Sequence, residues 1–215
     1  MLQLFSPNSP LGRWLAFLLD ALLISVAWVV CSLPIVTIGA STAALHRMAL
    51  NWMRDRSDCD LKTYFRAFRE NLKGGTAVWL ILLVPLALIL FNAYIVWFTE
   101  AEFPSIANWM VIIAALIWMA AAVYAFALQA AFENTPMRTV TNALRIAASH
   151  FTTTLILILL FGFAILCTLL FPPGAFLYVP ACVFLSARPT WNVFSRIVKR
   201  SEAEADPAGN DNEGE

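Results

Sequence analysis

An acidic residue lies inside the first apolar stretch of the chain, where ionised groups are uncommon. Asp20 stands between runs of leucine, alanine and phenylalanine. A charge at the centre of a bilayer costs on the order of 3 kcal/mol on insertion scales, so such groups are usually paired or line a pathway. Two interpretations stay open. Asp20 has a functional role in a pathway, or it is an interfacial anchor or pairs with Arg13, two helical turns earlier.

The end of this apolar stretch combines helix breakers with small and hydroxyl-bearing residues. Residues 33–42 read LPIVTIGAST, and Pro34 and Gly39 are both expected to break or kink a helix. Transporters build solute sites from broken helices with exposed backbone groups. The alternative is structural, with a helix end, a turn, and Ser41 or Thr42 capping the next helix. The candidate functional residues of this segment are Pro34, Thr37, Gly39, Ser41 and Thr42.

Four further segments have apolar residues at helical spacing and a polar opposite face. They are residues 42–54, 60–73, 136–151 and 189–200. The basic face of the second segment consists of Lys62, Arg66, Arg69 and Lys73. Beside a membrane span, such helices usually lie in the headgroup plane, and the alternative is that one of them docks a cytoplasmic partner.

Motifs that would indicate catalysis are absent from the sequence. There is no Gly-x-Ser-x-Gly, no phosphate-binding glycine loop and no metal-ligand spacing. His46 and His150 each stand alone on a predicted amphipathic helix, so we expect both to be interfacial or solvated rather than metal ligands. The sequence therefore predicts no enzyme, no cofactor, no bound metal and no nucleic-acid partner.

The elements that position these residues are membrane spans. Hydrophobic residues make up 60% of the 215-residue chain and charged residues 13%, against about 25% charged in soluble domains. The mean hydropathy is +0.74. The predicted fold is an all-α polytopic helix bundle of about five spans, within a single membrane domain at residues 1–200. The spans are residues 15–38, 77–98, 108–132, 152–171 and 175–187, the last two forming either a full or a re-entrant hairpin.

The distribution of basic residues predicts the orientation. Thirteen of the fourteen Lys and Arg residues fall on one side of these spans, and only Arg13 lies opposite. Basic residues stay with the cytoplasm, so the N-terminus is predicted outside and the C-terminus inside. This inner basic surface suits anionic lipid headgroups. Residues 201–215 carry six acids and no base, and they are predicted to form a disordered tail.

Two stretches of the chain resemble the YesL-like family of bacterial integral membrane proteins. They are CSLPIVTIGASTAAL, beginning at Cys31, and YFRAFRENL, beginning at Tyr64. The family is classed as a domain of unknown function, and the resemblance supplies no catalytic residues. Its genes often lie near sugar-uptake ABC transporters and glycoside-degrading enzymes. The resemblance therefore implies an accessory part in carbohydrate import at the bacterial cytoplasmic membrane.

Three functions are carried forward from the sequence. The first is an accessory component that acts by contact with ABC transporter subunits or with the lipid surface. The second is a small solute transporter or channel that works alone or as a homo-oligomer, using Asp20 and the segment at residues 33–42. The third, which we favour least, is an intramembrane enzyme.

Overall fold

The described part of the fold consists of seven α-helices and two 3₁₀ turns. The computed structural model describes the backbone of residues 10–55, 60–98, 105–132 and 134–205, and the side chains of residues 19–53, 60–98, 106–132 and 134–199. Within these ranges every regular element is helical, which confirms the all-α class. The helices are α1 (Pro10–Ser32), α2 (Ile38–Asp55), α3 (Leu61–Phe98), α4 (Ser105–Ala131), α5 (Pro136–Ser149), α6 (Phe151–Leu170) and α7 (Ala175–Ala205). Single 3₁₀ turns at Ile35–Thr37 and Pro172–Gly174 precede α2 and α7.

Three of these helices, α3, α4 and α6, are long and apolar enough to cross a membrane. The described apolar part of α1, Leu19–Ser32, is shorter than a full span. Large apolar side chains of the three long helices point outward, and Phe91, Leu159 and Phe163 are each more than 60% exposed. A contiguous apolar surface of this kind needs lipid around it. The chain is therefore a multi-pass membrane protein.

Helix α3 joins two elements that the sequence analysis separates. It runs without a break for 38 residues, or about 57 Å at 1.5 Å per residue. The predicted amphipathic helix at 60–73 and the predicted span at 77–98 are thus one continuous helix, with Pro85 inside it. Gly74 and Gly75, which stand between them, remain helical because neighbouring helices pack directly on them.

Helix α7 also differs from its predicted boundaries. The predicted span at 175–187 and the predicted helix at 189–200 form one helix of 31 residues, with Pro180 and Pro189 inside it. The helix continues to Ala205, five residues into the segment predicted to be disordered. Residues 206–215 of that tail lie outside the described residues.

Helix α2 is the most enclosed element, contrary to the expectation that it lies in the headgroup plane. Ala43, Ala44 and Leu45 are consecutive residues with no exposed surface, so neighbours cover most of this helix and leave Arg47 and Asn51 on its open side. It packs on α3, α7, α4 and α1. Small side chains allow this close packing, and the apolar stripe that suggested a lipid contact serves protein contacts instead.

The tightest of these contacts is the crossing of α2 and α3. A Cβ atom on Gly39 would overlap the carbonyl oxygen of Gly75 and the Cβ of Trp79. A Cβ atom on Gly75 would lie 2.8 Å from the Cα of Ala40. The neighbouring residue Gly74 packs against a different helix, where the side-chain amide of Gln129 from α4 covers it. Gly39 is therefore a packing residue within α2, and the prediction that it breaks a helix is wrong.

We expect Gly75→Ala to lower stability, although alanine normally favours a helix interior by about 1 kcal/mol over glycine. The added methyl group meets backbone atoms that cannot move independently, and overpacking of this kind costs about 1–3 kcal/mol. Gly162→Ala is the matched control, because apart from the adjoining backbone of α6 no heavy atom lies within 4 Å of its Cβ position. Thermal unfolding in detergent measures both. An unfolding midpoint for Gly75→Ala at or above that of the parent protein would contradict the packing argument.

Candidate functional site

The predicted helix break occurs at Pro34, and its backbone groups have protein partners. Helix α1 ends at Ser32, because Pro34 has no N–H to continue it. The Thr37 hydroxyl donates to the carbonyl of Cys31 at 2.7 Å and lies 2.9 Å from the carbonyl of Pro34. The indole N–H of Trp79 donates to the carbonyl of Ile35 at 2.9 Å. These three carbonyls are thus occupied within the protein, unlike those of a broken-helix solute site.

A buried cluster of hydroxyl groups lies beside this break and joins α1, α2 and α3. Ser41 has no exposed surface, and its Oγ lies 3.0 Å from Ser32 Oγ, 2.9 Å from the Tyr64 hydroxyl and 3.1 Å from the Trp28 carbonyl. A serine hydroxyl offers one donor and two acceptor positions. The Ser41 hydroxyl uses all three positions when it donates to the Trp28 carbonyl and accepts from the hydroxyls of Ser32 and Tyr64. The cluster is complete without a ligand, so it fixes the three helices relative to one another.

Thr42 extends the same connection toward α1. The indole N–H of Trp28 lies 3.4 Å from Thr42 Oγ1. Ser41 and Thr42 therefore both hold α2 against the end of α1. Neither hydroxyl acts as the N-cap of α2, which begins earlier, at Ile38.

Asp20 does not join this cluster. It is half-buried on α1, and twelve residues separate it from Ser32, which is about 18 Å along a helix. Its proposed partner Arg13 has a side chain outside the described residues. The sequence-based candidates thus fall into two groups, one at the α1–α2 turn and Asp20 by itself farther along α1.

His46 departs from the prediction that it is interfacial or solvated. Only 3% of its surface is exposed, on the enclosed helix α2. Burial disfavours the charged imidazolium and lowers the pKa of His46 from 6.5 to about 4. His46 is therefore neutral at physiological pH. His150, at the α5–α6 junction, is half-buried, and its Nδ1 is enclosed without a hydrogen-bond partner.

The predicted basic face lies on the outer side of the first part of α3. Lys62, Arg66, Arg69 and Lys73 are all exposed. Tyr64, Ala67, Asn71, Gly75 and Val78 form the opposite, buried stripe. One turn from Arg66, Glu70 forms an ion pair with Arg47 of α2, with 2.7 Å between the charged atoms. The basic residues thus stand on a helix that α2 holds in place.

Several residues that organise this region were not singled out from the sequence. Tyr64 begins the YFRAFRENL stretch and has no predicted role of its own, yet its hydroxyl belongs to the Ser41 cluster. Gly75 and the Arg47–Glu70 pair were not identified at all. The repeated small residues Ala67 and Gly75 on one face of α3 were the available signal, because small residues at helical spacing allow helices to approach closely.

The fold and the site together define an all-helical, multi-pass membrane protein whose first three helices form one packed unit. Residues 21–93, which cover most of α1 and all of α2, match the family model described as "Protein of unknown function, DUF624". The predicted resemblance to the YesL-like family is therefore confirmed over residues 21–93, about a third of the chain. No curated protein and no solved structure matches the chain significantly.

We expect the burial of His46 to make the stability of the fold depend on pH. The unfolded chain binds a proton near pH 6.5, whereas the folded chain binds it only near pH 4. Stability therefore falls as pH decreases through this window, by up to about 3 kcal/mol. The measurement compares the unfolding midpoints of the parent and of His46→Gln between pH 8 and pH 4. Because both proteins contain the same carboxylates, the difference between them reports the pH dependence that comes from His46.

The parent protein over the same pH range is the reference. We expect His46→Gln to show a smaller loss of stability on acidification than the parent. Equal losses in the parent and in His46→Gln would contradict the assignment of a buried, neutral His46.

Proposed function

We propose that this protein is an accessory membrane component of carbohydrate ABC-type uptake, which acts by contact rather than by catalysis. The observation that carries the proposal is the continuity of α3. Its basic first part and its membrane-crossing part are one helix. A partner bound at the basic face would thereby be joined to the bilayer by one continuous helix, which suits an accessory subunit.

The exposed surface of α3 supports a protein partner. Leu61 and Phe65 are 38% and 42% exposed and lie one turn apart, beside the basic residue Arg66. Apolar anchors flanked by charges are typical of helix faces that dock in grooves. The basic residues favour an acidic partner surface. The gene neighbourhoods of the YesL-like family point to ABC transporter subunits as that partner.

The alternative of a stand-alone solute transporter or channel has less support. The carbonyls of Cys31, Pro34 and Ile35 are hydrogen-bonded within the protein, as is Ser41. An open apolar groove of about 640 Å³ between α3, α4 and α5 is lined by neither Asp20 nor residues 33–42. Its apolar lining suits lipid chains, and this arrangement favours the accessory function over a polar pathway.

We further propose that the chain crosses the bacterial cytoplasmic membrane five times, with the N-terminus outside. The first crossing is α1, which is 23 residues long, or about 34 Å. The last crossing is the first part of α7, as the return half of a hairpin with α6. Helices α2 and α5 and the basic part of α3 then face the cytoplasm. The bias of thirteen basic residues to that side supports this orientation.

We expect affinity purification in mild detergent to recover carbohydrate ABC transporter subunits with the parent protein. The double variant Arg66→Glu/Arg69→Glu should recover much less, because it reverses two charges on the proposed docking face. Arg138→Glu/Arg145→Glu places the same charge change on α5 and should retain recovery. Recovery of the protein only with itself, from parent and variants alike, would argue for the stand-alone alternative.

A second experiment tests the orientation with reporters fused to the chain. A reporter active only in the cytoplasm should be active after Arg200 and inactive when inserted at Glu102. A reporter active only outside the membrane should give the reverse pattern. Activity of the cytoplasmic reporter at Glu102 would overturn the proposed orientation. If that reporter were equally active at both positions, Glu102 and Arg200 would lie on the same side of the membrane. The chain would then cross an even number of times between them, contrary to the proposal.

A further inference from the structure

A polar cavity of about 270 Å³ opens between α2 and the first part of α3. Five of its six lining side chains are polar, in a protein whose surface is otherwise dominated by apolar groups. The lining residues are Arg47, Asn51, Thr63, Arg66, Ala67 and Glu70. Ala67 is buried and contributes only a methyl group, which leaves space between the two helices. The volume admits a small anion with several waters, since liquid water occupies about 30 Å³ per molecule.

The lining offers donors suited to an anion. Arg47 and Arg66 approach the cavity from different helices, and each guanidinium presents a planar set of N–H groups that fits phosphate or carboxylate oxygens in pairs. Asn51 adds an amide. Thr63 is already engaged, because its N–H and hydroxyl bind the capping carboxylate of Asp60 and lower the pKa of that carboxyl. Binding would therefore rely on the arginine and asparagine side chains.

Glu70 determines which anion fits. It pairs with Arg47 at 2.7 Å, while 41% of the Arg47 side chain and 49% of the Glu70 side chain remain exposed. A monoanionic carboxylate would only exchange with Glu70 and leave the charges unchanged. A phosphate monoester carries about −1.5 to −2 at pH 7 and has three acceptor oxygens, so it can engage both arginines at once.

We propose that this cavity binds a phosphate group and that Glu70 is its internal competitor, holding Arg47 while the site is empty. The phosphate comes from a soluble phosphate monoester or from a lipid headgroup. Arg66 lies eleven residues, about 16 Å, before residue 77, where the sequence-predicted span begins, and a headgroup layer is only about 5–8 Å thick. A soluble ester reaches this level directly, whereas a lipid phosphate reaches it if α3 sits deeper. Arg66 also belongs to the proposed docking face, but phosphate binding is measured without a protein partner, so either proposal can fail while the other stands.

The test uses the full chain and two probes. Calorimetry with inorganic phosphate, at constant ionic strength in detergent, measures the soluble source. Thermal stabilisation in phosphatidylcholine nanodiscs, with or without phosphatidic acid, measures the lipid source. We expect Arg66→Ala to weaken binding about tenfold, through loss of a paired charge-assisted contact. Glu70→Gln should strengthen it about fivefold, because the competing negative charge is removed.

Arg145→Ala on α5 is the matched control, since it removes an exposed arginine outside the cavity. It should bind as the parent does. A response to inorganic phosphate assigns a soluble ligand, and a response to phosphatidic acid alone assigns a lipid; each supports the proposal. Three results overturn it: no response to either probe, equal weakening in Arg66→Ala and Arg145→Ala, or weaker binding in Glu70→Gln. Unfolding midpoints without a probe confirm that each variant is folded.

Discussion

The arrangement of the first three helices depends on the close approach of α2 and α3 at Gly39 and Gly75. No side chain separates the two backbones there, and a Cβ atom on either residue would meet backbone atoms of the other helix. Such a close approach lets the two backbones make many dispersion contacts, which are small individually and large in sum. The same crossing brings Ser41 within hydrogen-bonding distance of Tyr64. Farther along both helices, it brings Arg47 to Glu70.

The polar groups near this crossing form two sets, one buried between the helices and one at the helix surface. Between the helices, every donor and acceptor position of the Ser41 hydroxyl has a partner, and the turn after α1 is held by Thr37 and Trp79. Buried polar groups need such partners, since each unsatisfied group in a low-dielectric interior costs free energy. At the helix surface, Arg47 and Glu70 remain half-exposed and accessible to other charges. The inner part is suited to holding the fold, and the outer part to recognition.

Much of the fold could be predicted from the sequence, because long apolar runs and Pro34 have direct physical consequences. Apolar length identified α3, α4 and α6 as spans, and the missing N–H of Pro34 identified the end of α1. The continuity of α3 could not be predicted, because Gly74 and Gly75 weaken an isolated helix. Their tolerance depends on contacts with Ala40 and Gln129, which only the folded chain brings together. For the same reason, the helical spacing of α2 suggested a lipid-facing stripe where protein packs instead.

The candidate site shows the same limit at the level of single residues. Thr37, Gly39, Ser41 and Thr42 were chosen because a broken helix with hydroxyl groups resembles a solute site, and hydroxyl type alone does not reveal whether partners exist. In the fold, their partners are Cys31, Gly75, Tyr64 and Trp28, two of them far away in sequence. A segment can thus be distinctive because it must fit against a neighbour rather than because it binds a solute. In this chain, the break and the crossing hold a basic surface in place, and that surface rather than the helix break is suited to recognition.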